Sequence, residues 1–185
     1  MFRMSKMGVW ALATGLCIVV VAASAEAKTE RVTGGHATVT PSAQITRFLR
    51  SRGITVTPIG PVKVGTGSLT MPMVSGQLTV PSMNGTMKTK GGLQYSNGSK
   101  RLRVRDYELS HTGGVGKLTA IVNGKRIVLA TMAGMKVKMS GKTGTMSGGL
   151  RLTATWAHLI NHLVGKRVVH PGEDIGDLAA TVKMA

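Results

Sequence analysis

Apolar and polar residues alternate along most of the chain after residue 35, with the two-residue period of a strand that has one buried face. Clear examples are the segments SLTMPMVSGQLTV, RLRVRDYELS and KLTAIV. Three Asn-Gly pairs separate such segments: Asn84-Gly85, Asn97-Gly98 and Asn123-Gly124. Because both residues tolerate a positive φ, Asn-Gly favours the two-residue turn of a hairpin. The pattern predicts an antiparallel meander.

Two segments change to the 3.6-residue period of a helix. The first is predicted to open at Thr40 as N-cap, with Pro41 as its first helical residue, and to end at Gly53. The second is predicted to open at Thr153 and to end at Gly165. The residues expected to face inward are Ile45, Phe48 and Leu49 in the first helix and Trp156, Leu159, Ile160 and Leu163 in the second.

These elements predict a mainly β fold: an antiparallel β-sandwich or partly open barrel, with two short helices over an end or edge. Residues 36–185 are long enough for a single β-rich domain with its own core. The segment before them, residues 28–35 (KTERVTGG), is expected to be a flexible lead. No window after residue 27 is apolar for long enough to span a membrane.

Residues 1–27 have the pattern of a cleavable secretory signal peptide. Arg3 and Lys6 precede an apolar stretch over residues 9–23, and Ala25-Glu26-Ala27 has small residues at the positions that a signal peptidase recognises. Cleavage after Ala25 fits as well, and an uncleaved anchor is the alternative. The sequence therefore predicts a secreted, extracytoplasmic domain.

Cys17 is the only cysteine and lies within the apolar stretch. Leu16 precedes it where a lipoprotein cleavage site requires a small residue, so lipidation is not expected. After cleavage the chain would contain no cysteine, and thus no disulfide and no thiol nucleophile.

The first 27 residues hold Arg3, Lys6 and Glu26, which leaves 22 basic and 6 acidic residues and a net charge of +16 for the rest. Such a charge attracts polyanions, including phosphate-rich wall polymers. Only four aromatic residues follow residue 27, too few for the stacking platform that single-stranded nucleic acid requires. Specific nucleic-acid binding is therefore not expected.

Seven basic residues alternate with apolar neighbours in three predicted strands and should face outward. If those strands are neighbours, the basic residues form one cationic plate that would bind an anionic polymer. The alternative is an ordinary solvated face, on which lysines prevent edge-to-edge pairing. The residues are Lys88, Lys90, Arg101, Arg103, Arg105, Lys136 and Lys138.

Four histidines and a tyrosine are the candidate ligands for a small molecule or metal: His111, His158, His162, His170 and Tyr107. His158 and His162 are four residues apart and share one face of the second helix. His170 follows eight residues later and could join them. Because paired histidines on a polar helix face are more often simply solvated, a solvated helix face is the alternative interpretation, and no metal site is predicted.

Nine methionines follow residue 27, and several converging thioethers select Cu(I). Five of them occupy the inward phase of predicted strands, where they would serve as adaptable core residues. Core packing is the interpretation that the alternation favours. The five are Met71, Met73, Met87, Met135 and Met139.

Catalytic residues are few. Asp106 and Glu108 would share one strand face near His111, but no Gly-x-Ser-x-Gly nucleophile motif is present. A hydrolase acting on envelope material is therefore the third functional hypothesis, and a non-catalytic protein is expected.

Short motifs across residues 37–182 resemble secreted actinobacterial domains of the HtaA, or haem-transport-associated, type. They include Gly-Ser-Leu-Thr-Met-Pro, Gly91-Gly92-Leu93, a basic strand ending in Arg105-Asp106-Tyr107 and the segment from Gly116 to Gly124. The resemblance implies a haem carrier whose first helix supplies a tyrosine ligand, supported by a histidine near the Gly-Gly-Leu segment.

The implied haem ligands are not matched in this sequence. The aromatic residue on the first predicted helix is Phe48, and the residues near Gly91-Gly92 are Lys88 and Lys90. The main hypothesis from the sequence is therefore a basic binding domain that associates with anionic cell-envelope polymers. A small-ligand or haem carrier with a different site is the alternative.

Overall fold

The computed structural model describes residues 27–185, which form eleven strands and two helices. The predicted signal peptide therefore lies outside the described residues except for Ala27. No helix among residues 27–185 is long and apolar enough to cross a bilayer. The elements are β1 Lys28–Pro41, α1 Ala43–Ser51, β2 Thr55–Ile59, β3 Lys63–Gly65, β4 Ser68–Val80, β5 Asn84–Thr89, β6 Gly92–Asn97, β7 Lys100–Thr112, β8 Val115–Val122, β9 Lys125–Ser140, β10 Thr143–Leu152, α2 Ala154–Val164 and β11 Asp174–Met184.

Eight strands close into an antiparallel barrel in the order β7-β5-β4-β1-β11-β10-β9-β8, and β8 pairs back to β7. Three short strands lie outside this ring. β6 pairs on one side with the first half of β7 and on the other side with β2, while β3 pairs with β4. The predicted mainly β fold with two short helices is confirmed. Of the two predicted architectures, the closed ring of strands is a barrel and not a sandwich. Closure leaves the eight ring strands without the unpaired edges of an open sheet.

The two ends of the barrel differ. Both helices follow strands that finish at the same end, since α1 follows β1 and α2 follows β10; we call this the helix end. The opposite end, which we call the turn end, holds the β4–β5, β7–β8 and β9–β10 connections. Among these is the turn Gly113-Gly114, in which both residues have positive φ.

Inward-facing residues of the eight strands fill the barrel. Leu, Val and Ala supply much of this core, but buried methionines replace aromatic rings at many positions. Thioether side chains are flexible enough to fill irregular space between strands, so a core poor in aromatic rings can still pack closely. Met71, Met73 and Met87 are buried as the alternation predicted, and Met135 and Met139 pack against the core.

Residues 28–35 are not a flexible lead. They form the first part of β1, where Lys28–Arg31 pair with β4 and Val32–Gly35 pair with β11. This segment is rich in Gly and Thr and looks irregular in the sequence. Its backbone is nevertheless held by the strands on either side.

The second helix agrees with the prediction, since Thr153 is the N-cap and Gly165 the C-cap in the left-handed region. The first helix begins later than predicted. Thr40 and Pro41 remain in β1, paired with Asp177 and Gly176. Ser42 is the N-cap instead, and its Oγ accepts a hydrogen bond from the Ile45 N–H at 3.2 Å.

Of the three predicted Asn-Gly turns, Asn123-Gly124 is the two-residue turn between β8 and β9, with both φ positive. The β6–β7 turn is shifted by one residue, because Asn97 pairs with Lys100 across Gly98-Ser99. The prediction for Asn84-Gly85 is wrong. This pair starts β5, opposite Thr79 and Leu78, and residues 81–83 make the turn.

Candidate functional site

An apolar cleft of about 400 Å³ lies at the helix end, between α1, α2 and the β2–β3 region. Its size falls within the range of small-molecule sites. Among the described residues that line it, Arg50 alone is charged. The apolar lining consists mainly of Val39, Ile45, Leu49, Ile54, Val56, Val64, Leu69, Leu102, Trp156, Ile160, Leu163 and Ile175.

The helix α1 forms one wall of the cleft and is loosely packed. None of its side chains is fully buried, although Ile45, Phe48 and Leu49 follow the spacing of an apolar helix face. Ile45 and Leu49 line the cleft. The apolar face of α1 is therefore directed at the cleft rather than at a filled core.

The helix α2 forms the opposite wall and is firmly anchored. Trp156, Ala157 and Leu163 are buried, and the Thr153 hydroxyl donates to the Val128 carbonyl at 2.6 Å. The Asn161 side chain holds the segment after the helix, since its Oδ1 accepts from the Val168 and Val169 N–H groups. The two walls thus differ sharply in packing.

Tyr95 of β6 lines the cleft and packs edge-to-face on Trp156, with ring centroids 5.9 Å apart. Burial raises the pKa of Tyr95 to about 12, so the phenol is neutral over the physiological range. The other tyrosine, Tyr107, faces the barrel interior and is 5% exposed. Burial, with a smaller contribution from Tyr95, raises the pKa of Tyr107 well above its usual value.

The predicted ligand histidines do not come together. His158 and His162 are exposed on α2, away from the cleft lining, and His170 pairs with Glu173 at 2.9 Å. His111 is 5% exposed and faces the barrel interior. No group of three or more His, Cys, Asp or Glu side chains suited to a metal occurs within residues 27–185.

A bulge in β7 separates the acidic pair from His111. The register with β8 shifts between Arg105 and Glu108, and Asp106 has a φ of 52°. After the bulge the strand reverses its phase, so Tyr107, Leu109 and His111 are buried while Glu108 lies outside. Asp106 and Glu108 were expected on one strand face near His111, but His111 faces the barrel interior while Glu108 lies outside, so the three residues do not form a site.

The seven basic residues point outward as predicted but do not form one plate. Arg101, Arg103 and Arg105 are exposed near the helix end of β7. Arg105 pairs with Ile121, which pairs with Arg126 of β9. We call Arg101, Arg103, Arg105 and Arg126 the arginine row.

The four remaining basic residues lie apart from this row. Lys136 and Lys138 lie ten and twelve residues beyond Arg126 on β9, roughly 30 to 40 Å along the strand. Lys88 is 3.9 Å from Glu108, and Lys90 follows β5. The register of the strands therefore divides the predicted plate into separate groups.

The sequence identified the apolar faces of both helices but assigned them to the core. The signal that distinguishes a cleft from a core was present only in part: α1 is short and bears few large side chains. The role of Tyr95 was not predicted, because its place in the cleft depends on the pairing of β6 with β7 outside the ring.

An eight-stranded antiparallel barrel with a two-helix cleft at one end defines the structural class of this protein. No protein-family model matches the chain, and no curated protein matches it. Solved structures do match. The C-terminal domain of HtaA from Corynebacterium glutamicum is similar with a TM-score of 0.72 and 16% identity, covering 84% of this chain and 99% of that one.

Two further structures from the same organism agree. The N-terminal domain of HtaA matches with a TM-score of 0.66 and 12% identity, covering 83% of this chain and 98% of that one. The haem-binding protein HtaB matches with a TM-score of 0.59 and 16% identity, covering 86% of this chain and 98% of that one. The chain therefore has the HtaA-type fold, which confirms the resemblance at the level of the fold.

Proposed function

We propose that this protein is a non-catalytic, extracytoplasmic binding protein that holds a flat, largely apolar ligand of the tetrapyrrole class. The observation that carries the proposal is the apolar cleft of about 400 Å³ between α1 and α2. Concave, mostly apolar sites with few polar groups are typical of small-ligand binding. The similar protein HtaB is a haem-binding protein, which supports the choice of ligand class.

The lining suits a porphyrin ring better than it suits coordinated iron. Aliphatic side chains from both walls would contact the two faces of a planar ligand, and Arg50 would pair with a carboxylate at the margin. No histidine or methionine of residues 27–185 lines the cleft. Tyr95 alone offers an oxygen suited to ferric iron, and its raised pKa disfavours the phenolate.

We therefore assign the binding energy to apolar contact rather than to the iron. Burial of apolar surface contributes about 25 cal/mol per Å², and a tetrapyrrole buries several hundred Å² in such a site. The iron of a bound haem would add redox and ligand-binding chemistry, but the residues of this cleft bind and orient the ring.

Titration with haemin and with metal-free protoporphyrin tests this proposal. We expect absorbance and fluorescence titrations to give similar affinities for the two ligands, and Tyr95→Phe to change neither by more than about threefold, since the lost group is not a ligand. If Tyr95→Phe abolishes haemin binding alone, iron coordination dominates and the assignment to apolar contact is wrong. If neither porphyrin binds, the proposed function is wrong.

A matched pair of variants locates the binding. Leu49→Asp places a carboxylate in the apolar cleft and should weaken both porphyrins by about tenfold or more. Val115→Asp introduces the same charge at the turn end, where Val115 is 53% exposed, and should leave both affinities unchanged. Equal losses in the two variants would place binding elsewhere.

We propose association with an anionic envelope polymer as a second function, supported by the arginine row. Its three members on β7 are successive outward-facing residues of one strand. Arg105 pairs with Ile121 of β8, which in turn pairs with Arg126 of β9. Closely spaced guanidinium groups attract phosphate and carboxylate groups and can bind them bidentately. This function uses the outer wall of the barrel and is independent of the cleft.

A further inference from the structure

A histidine and two methionines lie on neighbouring strands in the turn-end half of the barrel. His111 of β7 is paired with Gly116 of β8, which is paired with Met132 of β9. Side chains directly opposite on neighbouring antiparallel strands face the same way. All three residues are buried, so this row faces the barrel interior.

Gly116 is where the sulfur atoms converge. A Cβ added to Gly116 would lie 2.5 Å from Met135 Sδ and 2.8 Å from Met132 Sδ. The two sulfur atoms therefore lie no more than about 5.3 Å apart, over the glycine that is paired with His111. Gly116 does not have a positive φ, so its conformation does not require glycine. The missing side chain instead leaves the space that the two thioethers occupy.

The imidazole of His111 is oriented by a hydrogen bond to a backbone carbonyl. Its Nδ1 lies 3.1 Å from the Met83 carbonyl oxygen. Because a carbonyl only accepts, Nδ1 carries the hydrogen, and in the neutral ring the lone pair is on Nε2. Metal-binding histidines commonly donate the other ring N–H to a backbone carbonyl in this way, which fixes the orientation of the ring.

The cluster also has access to solvent. His111 and Met135 both line a depression at the turn end, beside Asn84 and the Gly113-Gly114 turn. His111 is 5% exposed and Met135 is half-buried. An ion can therefore reach the cluster without passing through the barrel.

We propose that His111 Nε2, Met132 Sδ and Met135 Sδ form a binding site for the soft monovalent cation Cu(I). Thioether and imidazole ligands suit Cu(I), whereas Zn²⁺ prefers thiolate, imidazole and carboxylate sets. Neither sulfur carries a charge, so a monovalent ion brings less uncompensated charge into the interior than a divalent one. The site lies at the opposite end of the barrel from the apolar cleft, and its test is independent of the proposed porphyrin binding.

Competition with a chromophoric Cu(I) chelator under anaerobic conditions tests this site. All proteins would carry Cys17→Ser, so that a thiol cannot supply the ligand. The purified chain should remove one equivalent of Cu(I) from the chelator and should not bind Zn²⁺ comparably. X-ray absorption of the loaded protein should show sulfur and nitrogen scatterers in a ratio of two to one. Failure to compete, or equal binding of Zn²⁺, would refute the proposal.

Conservative variants assign the ligands without disrupting the fold. Met132→Leu and Met135→Leu keep the side-chain volume and should each weaken Cu(I) binding by about tenfold or more. Met184→Leu is the matched control, because Met184 is 6% exposed against 7% for Met132. Met184 lies on β11, two strands away from β9, and pairs there with Val32 of β1. A comparable loss in Met184→Leu would show that binding is not specific to this cluster and would overturn the assignment.

Discussion

Gly85 shows how one residue determines the pairing of two strands. It is paired with Leu78 and His111 on its two sides, and its φ is 140°. A Cβ at this position would lie 2.0 Å from the Gln77 carbonyl oxygen, closer than real atoms approach. The glycine is thus required both by its backbone conformation and by the close approach of β4.

Gly85→Ala should destabilise the protein by about 3 kcal/mol, since strain at the positive φ adds to a clash with rigid backbone. Gly34→Ala is the control, because Gly34 has no positive φ and a Cβ there meets nothing within 4 Å. Urea unfolding monitored by circular dichroism gives both free energies of unfolding. Equal stability of the two variants would contradict the close approach of β4 and β5.

At the scale of elements, the two helices differ in how much of their stability comes from packing. α1 has nine residues and no fully buried side chain, while α2 has eleven residues and buries Trp156, Ala157 and Leu163. Helices shorter than about 12 residues are marginal without tertiary contacts. Phe48 and Leu49 give α1 some contact with the core, and we expect its remaining order to depend on what occupies the cleft.

Amide hydrogen exchange should accordingly be faster in α1 than in α2 in the ligand-free protein. Porphyrin binding should slow exchange over residues 43–51 more than over residues 154–164, because the ligand supplies contacts that α1 lacks. Mass spectrometry of peptic fragments measures both segments in one experiment. Similar protection of the two helices before ligand is added would contradict this account.

Local signals predicted α2 well because Thr153 and Gly165 act through their immediate neighbours. Predictions that depended on partners distant in sequence were less accurate. Thr40-Pro41 has a typical helix-start sequence, yet pairing with Asp177 and Gly176 keeps it extended. Asn84-Gly85 has a typical turn sequence, yet it pairs with β4.

The candidate sites show the same limit. A two-residue period predicts that Arg101 and Lys136 face outward, but only the register of the sheet shows how far apart they lie. The bulge at Asp106 turns His111 inward, and no local sequence pattern predicts this bulge. The alternation of apolar and polar residues is the same in a barrel and in a sandwich. Only the complete set of strand pairings, including β7 with β8, shows that the ring closes.

At the scale of the whole molecule, the net charge of +16 after residue 27 predicts general attraction to polyanions, and the arginine row predicts where contact occurs. These two effects can be separated. Lys136, Lys138 and Lys142 are exposed at the turn end of β9 and in the turn that follows it. They carry the same total charge as Arg101, Arg103 and Arg105 but lie elsewhere on the barrel.

Retention on a phosphate-rich polymer should fall as salt rises, because screening shortens the range of these charges. Neutralising Arg101, Arg103 and Arg105 to Gln should reduce the salt needed for elution more than neutralising Lys136, Lys138 and Lys142. Equal shifts would show that total charge, not the arginine row, governs retention. Retention that does not depend on salt would refute the polymer proposal.

Both ends of the described chain lie at the turn end, where the Ala185 N–H donates to the Arg31 carbonyl at 3.0 Å. A segment joined to either end of residues 27–185 would therefore leave the barrel on the side away from the apolar cleft. Whether the joined segment is a purification tag, a fluorescent protein or a surface linker, the cleft would face the surrounding solution. Immobilising residues 27–185 through either end should thus present the cleft to a ligand in free solution, because the attachment would lie at the opposite end of the barrel.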